Sequence, residues 1–212
     1  MPISVNAKLG ADGSLKLDAG DISLALTARD CKEQTASLTL CNQQVVLTVS
    51  KADGSLNQKL DPAAVFVKSD ATLYRGPLDK SYKQGGHSFV LTDLNNDGHD
   101  DLMVWAGLEG AYGGPSFDVY LFDSAKREFV FDQDFSDLTI GANGLFSVEA
   151  GKIKVASSDG CCLHVFDTYA VESNKPVLVE RVTEDTTAGE DKAVTKTEKR
   201  IDGEMKEVKA SP

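Results

Sequence analysis

The acidic segment Asp93–Asp101, here called the acidic loop, is enclosed by two short hydrophobic runs, and this placement limits the folds open to the chain. Phe89–Leu91 precedes the loop and Leu102–Trp105 follows it, and both runs have the length and composition of β-strands. No window of a dozen residues shows a helical stripe. The loop is therefore predicted to connect two strands rather than two helices.

Short β-branched or aromatic runs recur between turn residues along the rest of the sequence, which predicts an all-β fold. They are Ile22–Ala28, Ala36–Leu40, Val45–Val49, Ala64–Val67, Phe117–Phe122, Phe129–Phe131, Ile153–Ala156, Leu163–Val171 and Val177–Val182. Phe117–Phe122 and Phe129–Phe131 read as a hairpin. We expect two β domains of antiparallel sheets, sandwich or propeller-like, over residues 1–84 and 85–182. Residues 183–212 are charged and are expected to form a solvated hairpin or a flexible tail.

The acidic loop has the oxygen spacing that a calcium ion needs. Counting from Asp93, the side chains at positions one, three and five are Asp93, Asn95 and Asp97, and Gly98 allows a sharp turn. His99 would offer its backbone carbonyl and Asp101 its carboxylate. The sequence therefore predicts a structural Ca²⁺ site, and an ion-free Asn/Asp/Gly turn is the alternative.

The excess of acidic residues limits the kinds of partner that the chain can bind. The chain has 33 Asp and Glu residues against 22 Lys and Arg, a net charge of -11. Such an excess repels phosphate backbones and anionic membrane surfaces. No apolar run approaches the roughly 18 residues that a membrane-spanning helix needs. We therefore expect a soluble protein with no nucleic-acid partner and no membrane span, which binds a basic protein or a cation.

The four cysteines favour disulfides and an exported protein. A short hairpin would bring Cys31 and Cys41 within bridging range, so we expect that bond. Cys161 and Cys162 are adjacent, and Cα atoms about 3.8 Å apart are closer than the usual disulfide range. The alternatives for this pair are a strained bond, pairing elsewhere, or two small buried hydrophobic side chains.

The sequence has no common hydrolase, phosphate-loop or dinucleotide-binding signature, and we expect that the protein is not an enzyme. The three histidines are isolated, and Glu109 with Asp118 is a carboxylate pair that the many acidic residues explain by chance. The segment Gly107–Ser116, here called the glycine-rich loop, has the composition of a binding loop rather than of a catalytic site. Its glycines, a proline and Tyr112 describe either a protruding binding loop or an ordinary long connection.

Several segments of the second half together resemble a known family. They are Phe89–Leu102, the glycine-rich loop, Val119–Asp123 with Phe129, and Ser158–Cys162 with the strand that ends in Tyr169. Over about residues 85–182 they resemble bacterial periplasmic immunity lipoproteins, which protect the cell from peptidoglycan-cleaving effectors delivered by type IV secretion systems. Those proteins are similar in fold to periplasmic inhibitors of invertebrate-type lysozyme.

The resemblance implies a lipid-anchored periplasmic protein that inhibits a lysozyme-like peptidoglycan hydrolase effector by inserting a loop into its substrate groove. No secretory signal opens the sequence, so an exported form is expected to be a trimmed one. Lysozyme inhibitors of several families insert a Ser-Gly loop that ends in Tyr. The candidates here are Tyr112–Ser116 and Ser158–Gly160. The proposed partner-binding residues are Tyr112, Gly113, Gly114 and Ser116.

The acidic loop is also compatible with a second function, that of an adhesion module. The acidic loop also resembles the calcium loops of integrin-like FG-GAP repeats, which would make the chain a calcium-dependent glycan-binding or adhesion module. Modules of that kind repeat the loop, whereas the sequence contains one copy. The acidic charge is in turn suited to lysozyme-like enzymes, which are often basic because they grip an anionic cell wall.

Overall fold

The computed structural model describes residues 1–79, 82, 86–189 and 193–208, and nearly all of its regular structure is β. The strands are β1 Ile3–Val5, β2 Ser14–Ala19, β3 Ile22–Arg29, β4 Lys32–Thr35, β5 Leu38–Cys41, β6 Gln43–Lys51, β7 Asn57–Leu60, β8 Val65–Lys68, β9 Leu73–Arg75, β10 Phe89–Thr92, β11 Asp101–Gly107, β12 Ser116–Asp123, β13 Glu128–Asp132, β14 Ser147–Glu149, β15 Lys152–Asp159, β16 Leu163–Glu172, β17 Lys175–Asp185, β18 Val194–Ile201 and β19 Glu204–Val208. Within these described residues, helix is confined to α1, Gln133–Asp137, and a 3₁₀ turn at Ala111–Gly113. The predicted all-β fold is confirmed.

The strands form four sheets. A six-stranded central sheet has the order β1-β9-β10-β11-β12-β13, and a six-stranded outer sheet runs from β14 to β19 in sequence order. A four-stranded sheet, β2-β3-β6-β7, and a three-stranded sheet, β4-β5-β8, come from the first third of the chain. Neighbouring strands pair antiparallel except β9 and β10, which are parallel. The predicted hairpin of Phe117–Phe122 with Phe129–Phe131 is confirmed as β12 and β13.

The central sheet is buried on both faces, and its strands place alternate side chains in two different cores. On β10, Phe89 and Leu91 face the core shared with the four-stranded and three-stranded sheets. Val90 faces the core shared with the outer sheet and α1. On β12, Phe117, Val119 and Leu121 also face this second core. The other face of β12 is buried too, since Tyr120 lies in the first core.

The central sheet takes strands from both predicted domains. Strands β1 and β9 come from residues 1–84, and they pair with strands of residues 85–182. The predicted boundary at residues 84 and 85 lies outside the described residues and stays a prediction. Beyond Val182, strand β17 continues to Asp185, and β18 and β19 form a hairpin across Asp202–Gly203. The charged region is therefore a solvated hairpin over residues 193–208.

Two disulfides join the four cysteines. Cys31 and Cys41 flank the β4–β5 hairpin with a Cα–Cα distance of 4.2 Å, which confirms the predicted bond. Cys161 is bonded to Cys162 within the loop that joins β15 to β16, with Cα atoms 3.7 Å apart. The expectation of a pairing elsewhere was wrong because the first bond occupies the other two cysteines, and the expectation of two small buried side chains was wrong because no cysteine is free.

No helix in the described part of the chain is long and apolar enough to cross a membrane. The hydrophobic run of the segment 62–69 lies in strand β8. Its Val65, Phe66 and Val67 are all buried, so both faces of this strand are covered and no helical periodicity is needed to explain its hydrophobic run.

Candidate functional site

The acidic loop connects β10 to β11, as predicted, and its side chains turn back onto its own backbone. The amide of Asp97 donates hydrogen bonds to Oδ1 of Asp93 at 3.1 Å and to Oδ1 of Asn95 at 3.2 Å. The Gly98 amide donates to Oδ2 of Asp93 at 3.0 Å, and the His99 amide to Oδ1 of Asp97 at 2.9 Å. Gly98 has φ +87°, the left-handed conformation expected at the sharp turn. Three oxygen-bearing side chains therefore converge within the loop.

Asp101 holds the base of this loop. Its side chain is fully buried and accepts hydrogen bonds from the amides of Leu94 and Phe122, both at 2.8 Å. Burial raises the pKa of Asp101 to about 7, and the nearby Asp97 and Asp93 carboxylates act in the same direction, against the two amides that lower it. The carboxylate thus joins the acidic loop to the neighbouring strand β12.

The donor chemistry of the acidic loop fits a calcium ion. Carboxylate, amide and carbonyl oxygens are the ligands that this hard cation takes, and the loop presents them at alternate residues. The ring of His99 packs on Phe122 with centroids 5.5 Å apart, which leaves its backbone carbonyl as the candidate donor. Among the described residues no group of three or more His, Cys, Asp or Glu side chains is arranged to hold a metal. The carboxylates of Asp93, Asp97 and Asp101 therefore do not form a ready-made metal cluster in this structure, and the calcium site stays a prediction.

The acidic loop is fixed to both neighbouring layers. Arg75 on β9 donates from Nε to Asp100 at 2.7 Å and also bonds Asp21 beside the four-stranded sheet. On the other side, Nδ2 of Asn95 donates to Oδ1 of Asn174 in the turn between β16 and β17, at 3.2 Å. The loop thus connects the N-terminal sheets, the central sheet and the outer sheet.

Tyr112 in the glycine-rich loop combines exposure with a strained backbone. Its side chain is 83% exposed, yet its backbone lies in the left-handed region at φ +56° and ψ +29°. A residue with a Cβ pays about 1–3 kcal/mol for such a conformation, and it persists only where the surroundings impose it. Residues of this kind concentrate at binding sites. The loop therefore presents one aromatic ring in a fixed position.

Backbone hydrogen bonds to the segment 141–143 impose this conformation. The Ala111 amide donates to the carbonyl of Ala142 at 2.9 Å, and the Gly141 amide donates to the carbonyl of Glu109 at 2.8 Å. The Asn143 amide then donates to the carbonyl of Ala156 on β15 at 2.7 Å. The glycine-rich loop is therefore connected through segment 141–143 to the outer sheet.

The two candidate inhibitory segments of the sequence meet in space. The hydroxyl of Tyr112 donates a 2.9 Å hydrogen bond to the carbonyl of Gly160, at the tip of the β15–β16 hairpin. Gly160 is exposed with φ +66°, and Asp159 and Cys161 on either side of it are exposed as well. Tyr112–Ser116 and Ser158–Gly160 are consequently parts of one surface.

The other predicted partner-binding residues differ in accessibility. Gly113 is exposed beside Tyr112, and Gly114 is half-buried and closes the turn through its amide, which donates to the carbonyl of Ala111 at 3.0 Å. Ser116 is buried, and its hydroxyl donates to the carboxylate of Glu109. The position of Ser116 suits support of the loop from behind, and a direct role in partner binding stays a prediction.

The carboxylate pair Glu109 and Asp118 borders a cavity, and His87 packs against aromatic side chains. Asp118 and Glu109 border a cavity of about 320 Å³ next to the glycine-rich loop. Burial raises the pKa of the Asp118 carboxyl, and the charge of Glu109 adds to this effect. His87 packs between Tyr74 and Tyr82. The absence of enzymatic activity remains a prediction.

The acidic loop and Tyr112 lie at opposite ends of β11. This strand has seven residues, Asp101–Gly107, and a strand rises about 3.3 Å per residue, so the two loops are separated by roughly 23 Å. No hydrogen bond among the described residues joins the acidic loop directly to the Tyr112 loop. Segment 141–143 and the β15–β16 hairpin provide the support instead.

Sequence reasoning missed the supporting residues Ala142 and Asn143, and it named Gly160 as a candidate without its contact to Tyr112. Their contacts with the glycine-rich loop are between residues tens of positions apart, and neither hydrophobic period nor motif spacing reports such pairs. The adjacent cysteines after Gly160 were the one available signal, because they mark an unusual turn at this place.

The fold and its loops define a class of layered all-β protein in which one central strand carries an acidic loop at one end and an exposed, strained tyrosine at the other. No protein-family model matches the chain, and no curated protein matches it. A solved structure of a Xanthomonas type IV secretion system related protein is 48% identical in sequence, with 99% of each chain covered and a TM-score of 0.93. The chain belongs to the family of that Xanthomonas protein.

Proposed function

We propose that this chain is a periplasmic immunity protein, lipid-anchored in its full-length form, that binds and inhibits a lysozyme-like peptidoglycan hydrolase delivered by a type IV secretion system. Its membership in the family of a type IV secretion system related protein supports the secretion context. The exposed and fixed Tyr112 is the observation that carries the inhibitory part. The proposal assigns no chemistry to the protein itself.

Tyr112 suits insertion into a concave groove. The residue is 83% exposed, while its backbone and its hydroxyl are both held in place. An exposed side chain normally loses rotational freedom on binding, and a ring that is already fixed avoids much of that cost. Gly113 and Gly114 add no side chains beside the ring. Tyr112 can therefore enter a groove that was shaped for a sugar chain and exclude the glycan.

The charge of the chain supports a basic target. The net charge of -11 attracts enzymes that bind the anionic cell wall through basic grooves, and it raises the rate of encounter with them. The exposed Asp159 places a negative charge beside Gly160, the acceptor of the Tyr112 hydrogen bond. Complementary charge around a central aromatic contact is typical of tight protein interfaces.

We propose that the acidic loop binds one Ca²⁺ through Asp93, Asn95, Asp97, the carbonyl of His99 and Asp101. The role of the ion is structural, since it would neutralise the clustered carboxylates of a loop that connects three sheets. The loop lacks the bidentate Glu at position twelve, where Val104 stands. A weak site, suited to millimolar external calcium, is expected.

Turbidity loss of a peptidoglycan suspension tests the inhibitory function. Each lysozyme-like effector encoded in the same genome is mixed with the wild-type chain at equimolar concentration in calcium-containing buffer. Inhibition of one effector at a one-to-one ratio is expected, and the Tyr112→Ala variant should be about thirtyfold weaker, as for a central aromatic contact worth about 2 kcal/mol.

Ile201→Ala is the matched control. Ile201 is also an exposed apolar side chain, but it lies on the outer-sheet hairpin β18–β19. This variant should inhibit like the wild type. If the wild-type chain inhibits none of the effectors while it binds calcium and is folded, the immunity proposal fails and the glycan-binding or adhesion alternative gains support.

A further inference from the structure

The adjacent disulfide lies at the point that supports Tyr112. Strands β15 and β16 pair as far as Asp159 with Leu163, so Gly160, Cys161 and Cys162 alone make the connection. Two of these three residues are joined to each other by the disulfide. The third, Gly160, accepts the hydrogen bond from the hydroxyl of Tyr112.

Both ends of this three-residue loop are fixed. The carbonyl of Cys162 accepts hydrogen bonds from the Thr186 amide at 2.8 Å and from its hydroxyl at 3.1 Å, next to the end of β17. On the strand before the loop, Oγ of Ser158 accepts from Nδ2 of Asn143 at 2.7 Å and lies 3.0 Å from Nδ1 of His164. Among the contacts that the structure describes at this tip, the disulfide ring is what fixes the peptide between Cys161 and Cys162.

The disulfide closes a covalent ring in this short loop and so removes backbone freedom next to Gly160, whose carbonyl bonds Tyr112. A hydrogen bond to an exposed, mobile carbonyl competes poorly with water, because the acceptor must be ordered each time the bond forms. An ordered acceptor avoids that cost. The strained backbone of Tyr112 needs such support, since no large buried surface holds this 83% exposed side chain.

We infer that the β15–β16 hairpin tip and the Tyr112 loop form a single two-part surface for the hydrolase, in which the Cys161–Cys162 ring positions Tyr112 by ordering the carbonyl of Gly160. This inference rests on the proposed inhibitory function and extends it to a second segment. The occupant of the surface is the basic, sugar-binding groove of the hydrolase. Asp159 and Cys161 are exposed on either side of Gly160 and form the second part of this surface.

The positioning role predicts non-additive losses. The double variant Cys161→Ser with Cys162→Ser should inhibit about tenfold less well, and Tyr112→Phe, which keeps the ring and removes only the hydroxyl, about fivefold less well. Because both changes break the same support, the combined variant should be no weaker than the serine variant alone. Losses that multiply to about fiftyfold would overturn the positioning role.

Hydrogen exchange gives a test of positioning that needs no partner. In the wild-type chain the amides of Ala111 and Gly114 are hydrogen-bonded within the loop and to Ala142. In the serine variant, amide exchange over residues 110–114 should become several times faster, with unchanged exchange in the acidic loop. Equal exchange in both proteins would contradict the role assigned to the disulfide.

A charge reversal tests whether the hairpin tip belongs to the interface. Asp159→Lys should weaken inhibition about tenfold, because a cation at the tip would repel a basic groove. Glu204→Lys is the matched control, since Glu204 is also exposed to solvent, lies on strand β19, and the change in net charge is the same. Equal inhibition by the two variants would remove the tip from the interface.

These outcomes distinguish a failure of the two-part surface from a failure of the proposed immunity function. If wild-type protein inhibits an effector and the tip and serine variants do so equally well, only the two-part surface is wrong. If wild-type protein inhibits no effector, the immunity function fails and the inferred surface fails with it, whatever the exchange rates show about the disulfide.

Discussion

Replacing Tyr112 by glycine and, separately, by alanine should reveal the strain stored in the glycine-rich loop. Both changes remove the ring and the hydrogen bond from its hydroxyl to Gly160, so these losses cancel when the two variants are compared. The remaining difference is the backbone at φ +56°, which glycine adopts without penalty and alanine does not.

The expected magnitude follows from two opposing terms. The left-handed conformation costs a residue with a Cβ about 1–2 kcal/mol. Glycine in turn loses more freedom on folding, which costs about 0.4–1 kcal/mol relative to alanine. The glycine variant should therefore have the larger free energy of unfolding, by about 0.5–1 kcal/mol. For a chain of this size each kcal/mol corresponds to about 2–4 °C in Tm.

Urea titration of both variants, monitored by Trp fluorescence, measures this difference in the free energy of unfolding, provided that the two variants have the same m value. Thr195 on β18 provides the control pair, because it is exposed and has no positive φ. There alanine should be the more stable of the two residues. An alanine variant at position 112 as stable as the glycine variant, or more so, would refute the claim that the fold holds Tyr112 in a strained conformation.

Three further perturbations test other parts of the molecule. Asp93→Ala with Asp97→Ala should abolish calcium binding in titration calorimetry and lower Tm by several degrees, and a wild-type Tm that is the same with calcium and with chelator would contradict the structural ion. Arg75→Met breaks the bond to Asp100 and should lower the free energy of unfolding by about 2–4 kcal/mol in urea, whereas a loss below about 0.5 kcal/mol would mean that this contact does not hold the sheets together. Burial raises the pKa of Asp118, so the charged carboxyl destabilises the fold, and stability falls as pH rises from the ordinary Asp pKa through the raised value. Asp118→Asn should remove that fall and raise the urea midpoint at pH 7, and parallel pH profiles of variant and wild type would disprove the effect.

Local patterns predicted much of the fold. The hairpin β12–β13, the strands on both sides of the acidic loop and the short length of the helices all follow from residue periods that a single segment contains. Strand β2 was overlooked although its burial alternates regularly, because its polar residues and flanking glycines resemble a long turn. The acidic loop was placed correctly because side-chain spacing within nine residues decides its shape.

Long-range pairings escaped prediction. The parallel contact of β9 with β10 and the return of β1 to the central sheet depend on loop closure over tens of residues, which leaves no period in the sequence. The meeting of Tyr112 with Gly160 is of the same kind. The adjacent disulfide was discounted on the usual Cα separation of bonded cysteines, and the pairing of the other two cysteines decided the outcome.

The seven residues of β11 keep the acidic loop and Tyr112 roughly 23 Å apart. Substitutions that far apart and without shared contacts change stability and binding almost independently. Under the proposed immunity function, the end of the strand near Tyr112 can therefore vary in evolution with the hydrolase that it binds, while the loop Asp93–Asp101 stays constant. Relatives that neutralise different hydrolases should accordingly diverge around Tyr112 and Gly160 and keep the oxygen-bearing positions from Asp93 to Asp101.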